Sequence, residues 1–164
     1  RVKKTRRFFE DRIEFLSQLF KEIKSSVKSA AKKQINSCFR LNLTSDLPWE
    51  NMVVKHFPDS QFYDYTKHLK RFVAYLEGKL PSNYHLTYSR DETTPDTLVK
   101  SLCASGGNVA VVFRGSLPKT WLGIEVIDGD DSDLRFKDGN GKIVGLLEKG
   151  LAKKDETGFV VEPC

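Results

Sequence analysis

No apolar run in this chain approaches the ~20 residues that a membrane-crossing helix needs, so a helical membrane protein is excluded. Cysteine is scarce. Cys38, Cys103 and Cys164 are odd in number, far apart and without a C-x-x-C pair, so metal ligation by all three would require the fold to gather them. Reduced thiols are the expectation. The chain also lacks an initiating Met and an apolar signal segment, starting instead at Arg1-Val2-Lys3-Lys4. That start suggests that a preceding portion of the natural chain is absent. Without a secretory signal, Asn42-Leu43-Thr44 is a chance match to a glycosylation acceptor. No G-x-G-x-x-G, Walker loop, G-x-S-x-G or H-E-x-x-H occurs, and His56, His68 and His85 share no ligand spacing. Asp128-Gly129-Asp130-Asp131-Ser132-Asp133 lacks the glycine and distal glutamate of an EF-hand loop, and reads as an acidic turn.

The 164 residues suffice for one domain with a single core. The net charge of +5 is uneven: residues 1–34 hold eleven Lys/Arg against four Asp/Glu, or +7, and the rest hold sixteen against eighteen, or −2. A basic segment of this kind is usually a solvated helical face. It could also track phosphates, with Lys3, Lys4, Arg6 and Arg7 as the nucleic-acid contacts.

Apolar residues at Phe9, Ile13, Leu16, Phe20, Ile23, Val27 and Ala30 follow the three-and-four spacing of a long amphipathic helix. Four stretches then share one grammar of strand, polar corner and, mostly, helix. They are Phe39-Arg-Leu-Asn-Leu-Thr-Ser-Asp46, Gln61-Phe-Tyr-Asp-Tyr-Thr-Lys67, Tyr84-His-Leu-Thr-Tyr-Ser-Arg-Asp-Glu92 and Val109-Ala-Val-Val-Phe-Arg114. Helices are expected over residues 47–57 and 67–77, and from Thr94-Pro95-Asp96 to Gly106-Gly107. Residues 109–113 read as a strand buried on both faces, and residues 123–128 as another strand. Asp138-Gly139-Asn140-Gly141, between apolar stretches, predicts a β-hairpin near the C-terminus. Residues 149–164 read as a loop or edge segment anchored by Phe159-Val160-Val161. Alternating strands and helices predict an α/β fold: a mostly parallel sheet of repeated βα units forming an open or partial barrel.

Parallel sheets bind ligands beyond the C-terminal ends of their strands. Those ends carry Thr44, Ser45 and Asp46; Asp64, Thr66 and Lys67; Ser89, Arg90 and Glu92; Arg114; and Asp128 and Asp130. Gathered on one rim they could hold a small anionic or nucleotide-like ligand through Lys67, Arg90 and Arg114, or a divalent cation through Asp46, Asp128 and Asp130. The plainer expectation is that Asp46 and Thr66 cap helices and that Arg90 pairs with Asp91 or Glu92. Arg114, emerging from an apolar strand, needs an anion, and Asp128, Asp130 and Glu92 are its expected protein partners.

The stretches Arg40-Leu-Asn-Leu-Thr-Ser-Asp46, Phe62-Tyr-Asp-Tyr-Thr-Lys67, Asn83-Tyr-His-Leu-Thr-Tyr-Ser-Arg90, Asn108-Val-Ala-Val-Val-Phe113, Ile127-Asp-Gly-Asp130 and Asp133-Leu-Arg-Phe136 carry a resemblance. The chain resembles uncharacterised bacteriophage proteins of the gene product 88 type from about Thr5 to Val161. The resemblance implies a phage protein of unknown activity working in the host cell cytoplasm. Members of that family look as though they carry a cysteine-rich segment upstream of the first long helix, which this sequence lacks. The family is similar in plan to radical-SAM barrels, where cysteines after the first strand hold an iron–sulfur cluster. That likeness would turn Ser45, Asp46, Ser89 and Arg90 toward S-adenosylmethionine. Both cofactors would then depend on an upstream segment supplying the cysteines.

Overall fold

A computed structural model of the chain describes residues 2–163, with side chains described from Arg6 to Pro163. Two helices come first: α1 (Val2–Glu10) and α2 (Arg12–Lys32). The single long helix expected is interrupted at Asp11, whose carboxylate accepts the Glu14 N–H at 3.3 Å and so starts a new helix. The apolar stripe also turns. Phe8 is buried edge-on against Trp49, whereas Phe9 and Ile13 are exposed; only from Phe15 and Leu16 onward does the helix face the core.

The strands follow as β1 (Cys38–Phe39), β2 (Gln61–Thr66), β3 (Tyr84–Ser89), β4 (Val109–Phe113), β5 (Thr120–Trp121), β6 (Ile124–Asp128), β7 (Ile143–Leu147) and β8 (Val160–Val161). Between them lie α3 (Trp49–Met52), α4 (Leu69–Leu76) and α5 (Asp96–Ala104). Across the sheet the order is β1-β2-β3-β4-β7-β6-β5, every pair parallel except β5–β6. The sheet is mostly parallel and not closed into a barrel, as the alternation of strand and helix implied.

Handedness explains how the two faces are covered. Steps from β1 through β4 all run one way, so right-handed crossovers place their helices on one face. There Phe62, Tyr84, Leu86, Tyr88, Val109, Val111, Phe113 and Ile143 meet Ile23, Trp49, Phe72, Val99 and Leu102 in one core. The step from β6 back to β7 runs the other way. Its crossover, residues 129–142, belongs on the opposite face, where a 3₁₀ turn at Arg135–Lys137 lies against β2 and β3.

That crossover replaces the hairpin expected at Asp138-Gly139-Asn140-Gly141. Asn108 Nδ2 donates to the Gly139 carbonyl at 2.7 Å, and its Oδ1 accepts the Lys142 N–H at 2.9 Å, which ties this turn to the start of β4. Antiparallel pairing occurs instead between β5 and β6, across Leu122 (φ 54) and Gly123 (φ 81). Both central φ values are positive, the requirement of a type I′ turn. Leu-Gly is a weak signal for that turn, so it escaped the sequence reading.

The other differences are local. The helix expected at residues 47–57 is the single turn α3 followed by a 3₁₀ turn at Val54–His56. The tail is loop and 3₁₀ turn anchored by the short strand β8, which pairs with β4 alone. β7 takes one whole side of β4, and β3 pairs only with its first residues, Val109 and Ala110. β8 fills the remaining space beside Val112 and Phe113.

Candidate functional site

Beyond the ends of β1, β2 and β3 opens a cleft of about 540 Å³. Ser45, Asp46, Lys67 and Ser89 line it, with Arg40 and Tyr65 on one wall. A larger groove of about 860 Å³ lies at the opposite, N-terminal ends of the strands, bounded by residues such as Ile35, Asp59 and Lys137. Chemistry in parallel sheets favours the C-terminal end, where loops and helix starts converge, and the polar side chains gather there.

The loop after β1 is shaped by Asn42, which is nearly fully buried. Its Oδ1 accepts from Ser45 Oγ (2.9 Å), the Leu47 N–H (2.9 Å) and Trp49 Nε1 (2.8 Å), while its Nδ2 donates to the Leu47 carbonyl. One amide thus folds the corner and orients Ser45. Asp46 does not cap α3, whose N-cap position is Pro48 without a side-chain bond. Its Oδ1 instead accepts from Arg71 at 2.7 Å, and its Oδ2 accepts from Thr66 Oγ1 at 3.0 Å and the Lys67 N–H at 2.8 Å. The second oxygen crosslinks the β1 loop to the end of β2. Thr66 Oγ1 in turn accepts the His68 N–H just before α4.

Arg71 is the hub beneath the cleft. It donates to both oxygens of the buried Glu50 and to Tyr84 Oη (2.6 Å). Tyr84 donates onward to Asp64 Oδ2 at 2.8 Å, and the Asn42 N–H reaches Asp64 Oδ1 at 2.7 Å. Asp64 has no exposed surface, so it supports the rim from below. Burial pushes its carboxyl up to about 6 against the two hydrogen bonds, and burial also raises the Tyr84 hydroxyl. The sequence reading missed Asn42, Glu50, Arg71 and Tyr84 as members of this network, because α4 brings Arg71 under the rim only once packed.

Arg90 and Arg114 serve the tail. Arg90 Nη1 donates to the carbonyls of Gly158 (2.9 Å) and Phe159 (3.2 Å), not to Asp91 or Glu92. Arg114 meets Glu162 and donates to the carbonyls of Lys153 (3.2 Å) and Asp155 (2.8 Å), not to Asp128, Asp130 or Glu92. β8 lies beside β4, which is why the tail reaches this arginine first. Neither guanidinium lines the cleft. Asp128 accepts the Asp130 N–H at 2.8 Å at the far side of the sheet, and Asp130 pairs with Lys149 at 2.6 Å. The divalent-cation grouping of Asp46, Asp128 and Asp130 is not assembled, and no three His, Cys, Asp or Glu gather for a metal among the described residues. Arg6 and Arg7 pair with Glu10 and Glu14; the side chains of Lys3 and Lys4 lie outside those described.

Compared with known protein families, the sequence matches the model described as "Gene product 88" over residues 1–163. The chain belongs to that family. No curated protein and no solved structure matches it. The cluster chemistry of a radical-SAM barrel can be tested on the side chains of this gene product 88 chain. Residues 40–48, after β1, contain no cysteine. Cys38 and Cys103 are unbonded on β1 and α5, and Cys164 lies outside the described residues. The side chains present therefore do not fit an iron–sulfur cluster, and no reaction step follows through one. No helix among the described residues is long and apolar enough to cross a membrane.

Proposed function

We propose that this gene product 88 chain is an enzyme-like α/β partial barrel that binds a small anionic or nucleotide-like ligand in the cleft over β1, β2 and β3, inside the host cell. The balance of charge in that cleft supports the reading. Asp46 is met by Arg71, whereas Lys67 forms no salt bridge among the described residues; its Nζ lies 5.5 Å from the Phe159 ring centroid, and Asp91 is the carboxylate that feels its charge. Arg40, stacked 4.6 Å from the Tyr65 ring and paired with Asp133, adds a second cation to the wall. No side chain caps the start of α4, so its free N–H groups and positive end add to the same field. Hydroxyls of Thr44, Tyr65 and Ser89 supply hydrogen bonds around it. Isothermal titration with adenosine 5′-monophosphate should show saturable binding, and Lys67→Ala should weaken it about tenfold, the loss of one charge-assisted contact. Absence of binding, or equal affinity in the variant, would overturn the reading.

A second reading rests on one observation on α2. Lys21, Lys24, Lys28 and Lys32 fall at helical spacing and are all exposed, a basic stripe that could follow a phosphate backbone. An accessory protein binding nucleic acid this way would retard DNA or RNA at low salt, and the retardation would fade steeply as salt rises. No retardation at low ionic strength would remove it.

A further inference from the structure

At the N-terminal ends of β1 and β2 the groove of about 860 Å³ runs into a second of about 300 Å³. Val27, Ala31, Pro58, Asp59 and Ser60 line both, so the two form one trough between the last half of α2 and the loop before β2. Asn83 fixes the loop wall, its Nδ2 donating to the carbonyls of Phe57 (2.9 Å) and Ser60 (2.8 Å). Lys24 and Lys28 stand at the narrow end and Lys137, from the crossover, at the wide one. None of the three forms a salt bridge among the described residues. Asp59 is the one carboxylate among the lining residues, and it pairs with none of them. Glu22 of α2 turns elsewhere, accepting from Gln18 at 2.8 Å and lining a separate pocket beside Trp49. The trough therefore keeps an excess of positive charge that the protein does not answer.

The wide end offers a different chemistry. There α2 stops in a left-handed turn, with the Gln34 N–H donating to the Ala31 carbonyl and the Ile35 N–H to the Ala30 carbonyl, both at 3.1 Å. Gln34 takes φ 55, the conformation that glycine adopts at least cost. A side chain thus stands where the backbone disfavours one, and it lines the trough. The amides of Gln34 and Asn36 form no hydrogen bond among the described residues and are exposed. Ile35, 59% exposed, and the half-buried ring of Phe136 add apolar surface beside them. Cations suit phosphates, whereas free amides and apolar surface suit the edges and faces of unstacked bases. A duplex would give the lysines its phosphates but keep its bases away from the amides.

We propose that this trough binds single-stranded nucleic acid. Lys24 and Lys28 hold backbone phosphates, and bases enter the wide end against Ile35 and Phe136, where Gln34 and Asn36 reach their edges and Lys137 meets a further phosphate. The proposal rests on the basic-stripe reading for part of its charge and gives the strand a site. Lys21 and Lys32 of that stripe line neither groove, which separates the two experimentally.

Fluorescence anisotropy with a labelled mixed-sequence oligonucleotide of about 12 nucleotides, single-stranded and as its duplex, is the direct test. At low salt the single strand should bind at least about tenfold more tightly than the duplex. Lys24→Ala should weaken it and flatten its salt dependence. Lys137→Ala and Gln34→Gly should each cost roughly threefold to tenfold in affinity. Gln34→Gly should at the same time raise the melting temperature by roughly 2–4 °C, so its lost affinity cannot come from a damaged fold. Circular dichroism checks the folding of the other variants. Duplex and single strand bound equally, with no change in Gln34→Gly and Lys137→Ala, would overturn the trough and leave the stripe standing. Affinity lowered by those two variants but unchanged in Lys21→Ala and Lys32→Ala would support the trough and remove the stripe. Displacement of the oligonucleotide by polyglutamate at equal charge would point to an acidic peptide and overturn the trough as a nucleic-acid site. No binding of either form at low salt would overturn both.

Discussion

Asp64 and His85 sit on adjacent strands and titrate in opposite senses. Asp64 is pushed up to about 6, so the folded chain holds that proton more tightly than the unfolded chain does. Its contribution to stability is fully present below about pH 4 and lost as the pH rises through about 6. His85 is lowered to about 4, so its contribution is present above about pH 6.5 and lost as the pH falls toward 4. Each shift corresponds to ~3 kcal/mol, and over pH 4–6.5 the two nearly cancel. Urea denaturation across that window should therefore show little slope from this pair in the unsubstituted protein. Asp64→Asn should unmask a rise of stability with pH, and His85→Gln a fall. Two variants with the same profile as the parent would refute the pairing.

At the scale of elements, the C-terminal segment is held on by arginines that the sequence suggested for a ligand. Arg114 fixes the 3₁₀ turn at Gly150–Lys154 and β8 through two carbonyls and Glu162. Arg114→Ala should lower the melting temperature, with a cost of about 1–3 kcal/mol, and raise hydrogen exchange in residues 150–163. Ligand binding in the cleft should change much less. Glu162→Gln alone should be mild, because that carboxylate is largely exposed and the carbonyl bonds remain. A variant that exchanges like the parent throughout the tail would contradict this role.

The whole molecule is proposed to fold as one unit, since a single core runs from α2 to β7. Its two tryptophans test this from opposite ends. Trp49 packs on Phe8 near the β1 edge, whereas Trp121 packs on Phe113 near the β5 edge. Single-tryptophan variants made by Trp49→Phe and Trp121→Phe should each show one fluorescence transition in urea, coincident with circular dichroism of the same variant. Transitions separated between fluorescence and circular dichroism would show that the sheet halves unfold independently.

Much of the architecture follows from local pattern. The apolar run at residues 109–113 reads as a strand buried on both faces, and β4 has those bounds. The polar corners at Thr44-Ser45-Asp46, Thr66-Lys67 and Ser89-Arg90 marked strand ends, because hydroxyls and carboxylates compete for backbone groups wherever a ladder stops, although the first ladder already stops at Phe39. Ser45, Asp46, Lys67 and Ser89 were legible for that reason, and they share one cleft. What local pattern could not supply is the partner of each charge. Asp46 at a helix start looks like a cap until α4 delivers Arg71 to it, and Arg114 looks free until β8 arrives. The turn at Asp138-Gly139-Asn140-Gly141 has hairpin chemistry, yet Asn108 and the handedness of the β6–β7 step make it part of a crossover. Nothing local marked Arg135 as buried, since its burial against the sheet depends on that crossover. Turn and strand propensities act over a few residues, whereas charge pairing and the choice of sheet face are set by contacts made only when distant segments pack.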